Sequence, residues 1–297
     1  MTDPDLTDPH PIEPRLVADD LVLGYEKDRP IVDGISFDVP TGAVTVLVGA
    51  NACGKSTFLR GLARLLAPQR GSVILDGRSI HERPTREVAT LLGLLPQSPS
   101  APEGITVADL VARGRHPHQR WYRQWSDRDE EVVEHALART GVAELAERRV
   151  DDLSGGQRQR VWIAVALAQE TDLILLDEPT TYLDLAHQVE VLDIIRDLNR
   201  TDGRTVVAVL HDLHLACRYA DHLVAMKAGR IVAQGEPSTV MTAALVQDVF
   251  GLNAQIITDP LTGTPIVLPV PSDDGGDGSD PCDNGSRALA GSDRPGP

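Results

Sequence analysis

Lysine is almost missing from this chain. Lys27, Lys55 and Lys227 are the only three in 297 residues, while arginine is plentiful. A GC-rich coding sequence explains that bias without reference to function. Cysteine is scarce too. Cys53, Cys217 and Cys282 show neither metal-ligand spacing nor a disulfide framework, which fits a reducing cytosol. No run approaches the roughly 18 apolar residues that a membrane-spanning helix requires, so any membrane role must pass through a partner. The N-terminus is acidic and proline-rich, with no basic and apolar leader, so no signal peptide is expected. No internal repeat is visible.

Positive charge is also short, with a net charge of −16. Residues 1–14 hold Asp3, Asp5, Asp8 and Glu13 without Lys or Arg, and 271–297 hold six Asp against Arg287 and Arg294. Half of the excess therefore lies in two tails rich in Pro, Gly, Ser and Asp, which are expected to be disordered. The folded body is expected over 15–270. Its mild acidity argues against broad, nonspecific nucleic-acid binding, and no nucleic-acid partner is expected.

What is present centres on VTVLVGANACGKSTFL (44–59). Val44–Val48 is an apolar run suited to a buried parallel strand, and helical spacing begins at Lys55. Between them the segment Gly49, Ala50, Asn51, Ala52, Cys53, Gly54, Lys55, Ser56, Thr57 fits the phosphate-binding loop. Successive backbone N–H groups and a helix N-terminus suit phosphate, Lys55 can reach the β- and γ-phosphates, and Ser56 can ligate Mg²⁺. Cys53, beside Lys55 and a helix start, is expected to be reactive toward thiol reagents.

Downstream, DLILLDEP (172–179) reads as a buried strand ending in two carboxylates. Asp177 is placed to hold Mg²⁺ and Glu178 to polarise an attacking water. His211 ends the strand TVVAVLH and could contact the γ-phosphate. Gln97 closes a helix-to-strand passage (85–97) and could sense metal and γ-phosphate. For both, the plain alternative is a satisfied polar residue. Residues 98–152 read as mostly helical, with Asp127 as N-cap of one helix and Gly141 as its stop. Then come a helix at 154–169, a hairpin turning at Ala228-Gly229, one helix near Thr239–Val249 and a last hairpin. Alternating strands and helices argue for a largely parallel sheet between helices.

LSGGQ (153–157) supplies a second anion-suited helix N-terminus at Ser154, Gly155, Gly156 and Gln157. With it, five ordered motifs over about 15–270 resemble the ATP-binding-cassette (ABC) ATPases. The resemblance implies an α/β phosphate-loop fold with a mostly parallel core sheet. It also implies an N-terminal antiparallel β subdomain and an inserted helical subdomain at about 98–169. It implies ATP and Mg²⁺ as ligands, Ser56, Gln97 and Asp177 at the metal, Glu178 as general base and His211 as switch histidine. Tyr25, otherwise a half-buried strand aromatic, would stack on adenine. In a head-to-tail homodimer Ser154 and Gly156 would reach the partner's γ-phosphate, and Asp184 in TTYLD would link the two sites. One departure is the pair Ala50 and Ala52, where Pro and Gly are more usual. The Ala52 methyl is tolerable if φ stays negative.

VARGRHPH (111–118), TTYLDL and DPLTGTPIVLP resemble the ATPases of iron–siderophore importers, with cobalamin and haem importers as close relatives. That implies a separate permease, an extracytoplasmic substrate-binding protein and a position on the cytoplasmic face of the membrane. The basic, aromatic stretch Arg113–Trp125 then offers itself to the permease. A soluble assembly or nucleic-acid-remodelling ATPase is the alternative of another class, and LSGGQ argues against a phosphate-loop kinase.

Overall fold

The structure is a computed structural model and describes residues 14–119 and 125–270. Apart from Pro14, the two expected disordered tails lie outside those residues, as do Cys282 and the middle of the basic-aromatic stretch. Strand β1 (Leu16–Leu23) and β2 (Val32–Val39) come first, then β3 (Val44–Gly49), in which every residue is buried. Helix α1 (Lys55–Leu62) follows, then β4 (Arg70–Leu75) and the two-residue β5 (Arg78–Ser79). Strands β2-β1-β4-β5 form an antiparallel sheet, the expected N-terminal subdomain.

Helix α2 (Thr85–Leu91) leads straight into β6 (Leu92–Leu95). The helical region follows, with α3 (Val107–Ala112), α4 (Asp127–Arg139) and α5 (Gly155–Ala168). The core returns with β7 (Leu173–Asp177), α6 (Leu185–Asp202), β8 (Thr205–Val209), α7 (Leu213–Tyr219), β9 (His222–Lys227) and β10 (Arg230–Gly235). The central sheet runs β10-β9-β3-β8-β7-β6. All its pairings are parallel except β9–β10, the hairpin through Ala228-Gly229. A parallel sheet covered on both faces reads as continuous Val and Leu, as these strands do.

Alternate residues of the central strands feed two cores. Leu47, Leu175, Val207, Val209 and Met226 pack with Phe58, Leu59 and Leu62 of α1 and with the antiparallel sheet. Phe37 meets Phe58 edge-on at 6.4 Å between centroids, a pair contributing about 0.5–1.5 kcal/mol beyond its burial. The opposite face (Val46, Val48, Ile174, Leu176, Ala208) packs with α5, α6 and α7 and continues into the helical region. There Arg115, 3% exposed, clamps the end of α5. It donates to Asp129 Oδ1, to Glu170 Oε2 and to the Ala168 carbonyl, each at 2.8 Å.

Several local expectations need correction. The N-cap of α4 is Ser126, which forms a capping box with Asp129, so Asp127 is the first helical residue. The helix expected near Thr239–Val249 is two, α8 (Pro237–Val240) and α9 (Ala243–Phe250), because Thr242 caps the second. Strand β1 stops at Leu23 and leaves Tyr25 59% exposed. His211 lies two residues beyond β8. The closing hairpin is β11 (Ala254–Thr258) with β12 (Pro265–Pro269).

Candidate active site

The site forms at the C-terminal ends of β3, β7 and β8, with the residues after β6 beside it, where open parallel sheets present their ligand crevices. The chain leaves β3 at Gly49, whose φ is +154° and where a Cβ would lie 2.3 Å from the Met226 carbonyl. Only glycine fits so close an approach. Ala52 sits at φ +60°, so the negative φ on which its methyl was judged tolerable is not met. The tight curl of the loop overrides the preference of an L-residue, which costs roughly 1–2 kcal/mol. Gly54, at φ +109°, starts α1 with no side-chain cap. The first-turn N–H groups of α1 thus receive no capping oxygen from Gly54, and the helix dipole favours an anion there.

Lys55 is only 5% exposed. Its Nζ donates to the carbonyls of Gly49 (2.8 Å) and Ala50 (3.1 Å). Ser56 donates to Asp177 Oδ1 at 2.7 Å. Asp177 is buried at the end of β7, and that burial pushes its carboxyl above the usual range, against the pull of the Ser56 hydroxyl. Cys53 belongs to the core against α1, at 7% exposure, so its expected accessibility is not found. Its sulfur fills the space beside Gly49, 2.8 Å from where a Cβ there would stand.

Glu178 follows β7 at φ +54°, a strained backbone that aims its carboxylate into the cleft. Gln97 Nε2 donates to Oε2 at 2.5 Å, and Thr181 Oγ1 donates to the same oxygen at 3.0 Å. His211 Nε2 lies 2.6 Å from Oε1. Burial works to raise this carboxyl, but the bonds from His211, Thr181 and Gln97 outweigh it and hold the group below the usual glutamate range. Asn51 through Thr57, Gln97, Glu178, Tyr182 and His211 line one cleft of about 820 Å³. Phosphate cradle, buried carboxylate and hydrogen-bonded base share one space.

Other candidates lie apart from that cleft. Ser154 caps α5, in a capping box with Gln157, and none of 154–157 lines the cleft. Asp184 caps α6 by accepting from the His187 N–H. Tyr25 accepts a 2.8 Å bond from Arg60 Nη1. Sequence reasoning missed Arg60, Thr181 and His187. Thr181 had a signal, since a hydroxyl three residues from an acid at a chain turn makes local bonds. Nothing in the sequence marked the other two.

A phosphate loop joined to a strand-end Asp-Glu pair in a parallel sheet defines a phosphate-loop nucleoside triphosphatase. Residues 32–181 match the family profile described as ABC transporter. Among curated relatives, the Bacillus subtilis protein named "Probable siderophore transport system ATP-binding protein YusV" is 59% identical over 249 residues, 84% of this chain and 90% of its own. The Escherichia coli ferric enterobactin transport ATP-binding protein FepC is 50% identical over 256 residues, 86% of this chain and 94% of its own. Among solved structures, an inward-facing ABC transporter classed as metal-chelate type superposes with a TM-score of 0.75 at 29% identity, covering 87% of this chain and 98% of that one. The chain belongs to the ABC transporter family and is an ATP-binding, ATP-hydrolysing member of it.

Proposed function

We propose that this chain energises uptake of an iron–siderophore complex through a separate membrane permease. The observation that carries the catalytic part is the seating of Glu178 between Gln97 and His211 at the mouth of the phosphate-loop cleft. The siderophore assignment rests on the relatives' names, which agree with the GRHPH and TTYLDL segments.

In this reading the loop amides and Lys55 hold the phosphates, with Lys55 giving up its carbonyl partners for phosphate oxygens. Tyr25, steadied by Arg60, stacks on the adenine. Glu178 takes the proton of the attacking water, and Gln97 and His211 shift from its carboxylate to the water and the γ-phosphate. Ser56 and Asp177 place a hydroxyl and a buried carboxylate 2.7 Å apart, a hard oxygen pair that fits Mg²⁺. These two, with Gln97, would hold the ion, which would neutralise phosphate charge.

The remote Ser154, Gly156 and Asp184 support a head-to-tail homodimer, in which each protomer completes the other's site. No helix among the described residues is long and apolar enough to cross a membrane, which supports attachment through a permease at the cytoplasmic face. The cleft between α3 and α4, bordered by Arg113, His116 and Trp125, is where that permease would dock. The chelate reaches the permease from an extracytoplasmic binding protein.

The test is ferric-siderophore uptake in a strain lacking this gene. The wild-type chain should restore uptake and Glu178→Gln should not. The purified variant should bind ATP yet turn it over roughly 10²–10⁴-fold more slowly. Turnover near wild type would remove Glu178 from the role of base, and uptake independent of the gene would refute the transport reading.

A further inference from the structure

The two glycines of LSGGQ face different surroundings. A Cβ on Gly155 would meet nothing within 4 Å. A Cβ on Gly156 would lie 2.5 Å from His187 Cδ2 and 2.8 Å from its Cγ. The imidazole therefore lies flat against the start of α5, and the absence of a side chain at 156 is what lets it.

The same ring is fixed on its other side. Its Nδ1 is 2.6 Å from Asp184 Oδ1. A carboxylate can only accept, so the ring nitrogen donates. Asp184 also accepts the His187 backbone N–H at 3.0 Å, which hinders the pair from rotating apart. One residue on, Gln188 Nε2 donates to the Leu183 carbonyl at 3.0 Å and ties the 180–184 loop to α6. Within that loop Thr181 Oγ1 reaches Glu178 Oε2 at 3.0 Å. A continuous set of contacts thus runs from Gly156 through His187, Asp184 and the loop to the carboxylate of Glu178.

We propose that His187 is a positioning residue that transmits displacement of the α5 N-terminus to the Asp184 loop and so to Glu178. This deepens the functional reading above and rests on it. There Gly156 meets the nucleotide held by the partner, while Glu178 serves the protomer's own nucleotide. His187 then makes the occupancy of one site felt at the base of the other. The contact suits that task because it has no slack. A backbone pressed against an aromatic face cannot move toward it without moving the ring, and the ring carries Asp184 with it.

The full chain carrying His187→Ala should bind ATP as wild type does, because residue 187 lines no part of the cleft. Its kcat should fall about 2- to 30-fold, the range for removing one link of a coupling network, and the dependence of rate on ATP concentration should lose its cooperativity. The decisive comparison is Gly156→Ala in two backgrounds. Against wild-type His187 the new methyl collides with the ring, and kcat should drop further than for His187→Ala. In the double variant the collision is gone, so adding Gly156→Ala should cost kcat less there than it does against wild-type His187. Loss of ATP affinity together with kcat would mark a merely structural role and overturn the proposal. So would a wild-type kcat and cooperativity in His187→Ala, or a Gly156→Ala defect of equal size in both backgrounds. A wild-type chain that hydrolyses ATP while His187→Ala behaves identically overturns the relay alone. A wild-type chain that hydrolyses none overturns the functional reading and the relay with it.

Discussion

The helices α1 and α5 both begin at a glycine-rich turn suited to anions, yet their first turns are finished differently. At α1 the N-cap is Gly54, with no side-chain acceptor, and a buried Lys55 lies folded against its own loop. At α5 the N-cap Ser154 accepts from the Gln157 N–H, and Gln157 Oε1 accepts from the Ser154 N–H in return. The first terminus is left for a ligand to finish, within a cleft that also holds the base. The second is partly finished by its own side chains and stands outside that cleft. An anion gains less where a side chain already accepts from the first turn, as Ser154 does. Under the proposed function, that difference gives binding to one protomer and completion of the site to two.

The strongest way to break that comparison is to separate its halves. Lys55→Ala and Ser154→Arg homodimers should each lose on the order of 10²–10³-fold in hydrolysis, the scale for removing one preorganised charge-stabilising group. Mixing them should regenerate one composite site with both groups intact, seen as recovered activity on titrating one protein into the other. Absence of recovery would make the two termini part of a single-protomer machine.

Next in size is His211→Ala, which leaves the base but removes its main stabilising donor. Turnover should fall by less than in Glu178→Gln. The Glu178 carboxyl lies below its usual range, so its stabilising bonds persist above the ordinary glutamate range and are lost as pH falls through the depressed value. Without His211 that value rises, and the acid limb of kcat/KM should move to higher pH. An unmoved limb would detach His211 from the base.

Smaller effects sharpen the contrast in the caps. Ser154→Ala should cost about 1 kcal/mol of stability by denaturant unfolding, with ATP affinity of the phosphate loop unchanged. Ala52→Gly removes a left-handed alanine but adds freedom to the unfolded chain. It should stabilise by about 0.5 kcal/mol, the smallest change predicted here, in the same unfolding measurement.

Most of the architecture could be read because β3, β7 and β8 are short unbroken apolar runs, each followed within a few residues by chemically distinctive ones. That is how Lys55, Ser56, Asp177 and Glu178 could be assigned to one crevice from the sequence, with Gln97 and His211 joined to them by the family resemblance. What escaped depends on side-chain direction and loop closure. Cys53 was expected to be reactive, and its side chain, though it borders the cleft, is only 7% exposed and packs into the core. The Ala52 methyl was judged tolerable only at negative φ, but the loop's curl decides that angle. Ser126 and Asp127 are both good caps, and only the reciprocal bond with Asp129 selects the first. His187 stood unremarked in LAHQ because its importance lies in a contact with Gly156, thirty-one positions earlier in the chain.

The clamp that Arg115 places on the far end of α5 has a mechanical consequence. A helix of 14 residues is about 21 Å long, so when the helical region turns as one body about that clamp, Ser154 at the opposite end of α5 moves the most. A turn of about 15°, the size of a modest domain rotation, sweeps that end through about 5 Å. That is nearly twice a hydrogen-bond length, enough to engage a phosphate oxygen or release it. In the two-protomer reading proposed above, a small angle at the helical region would decide contact with the partner's nucleotide, and the gain would be set by the number of residues in α5.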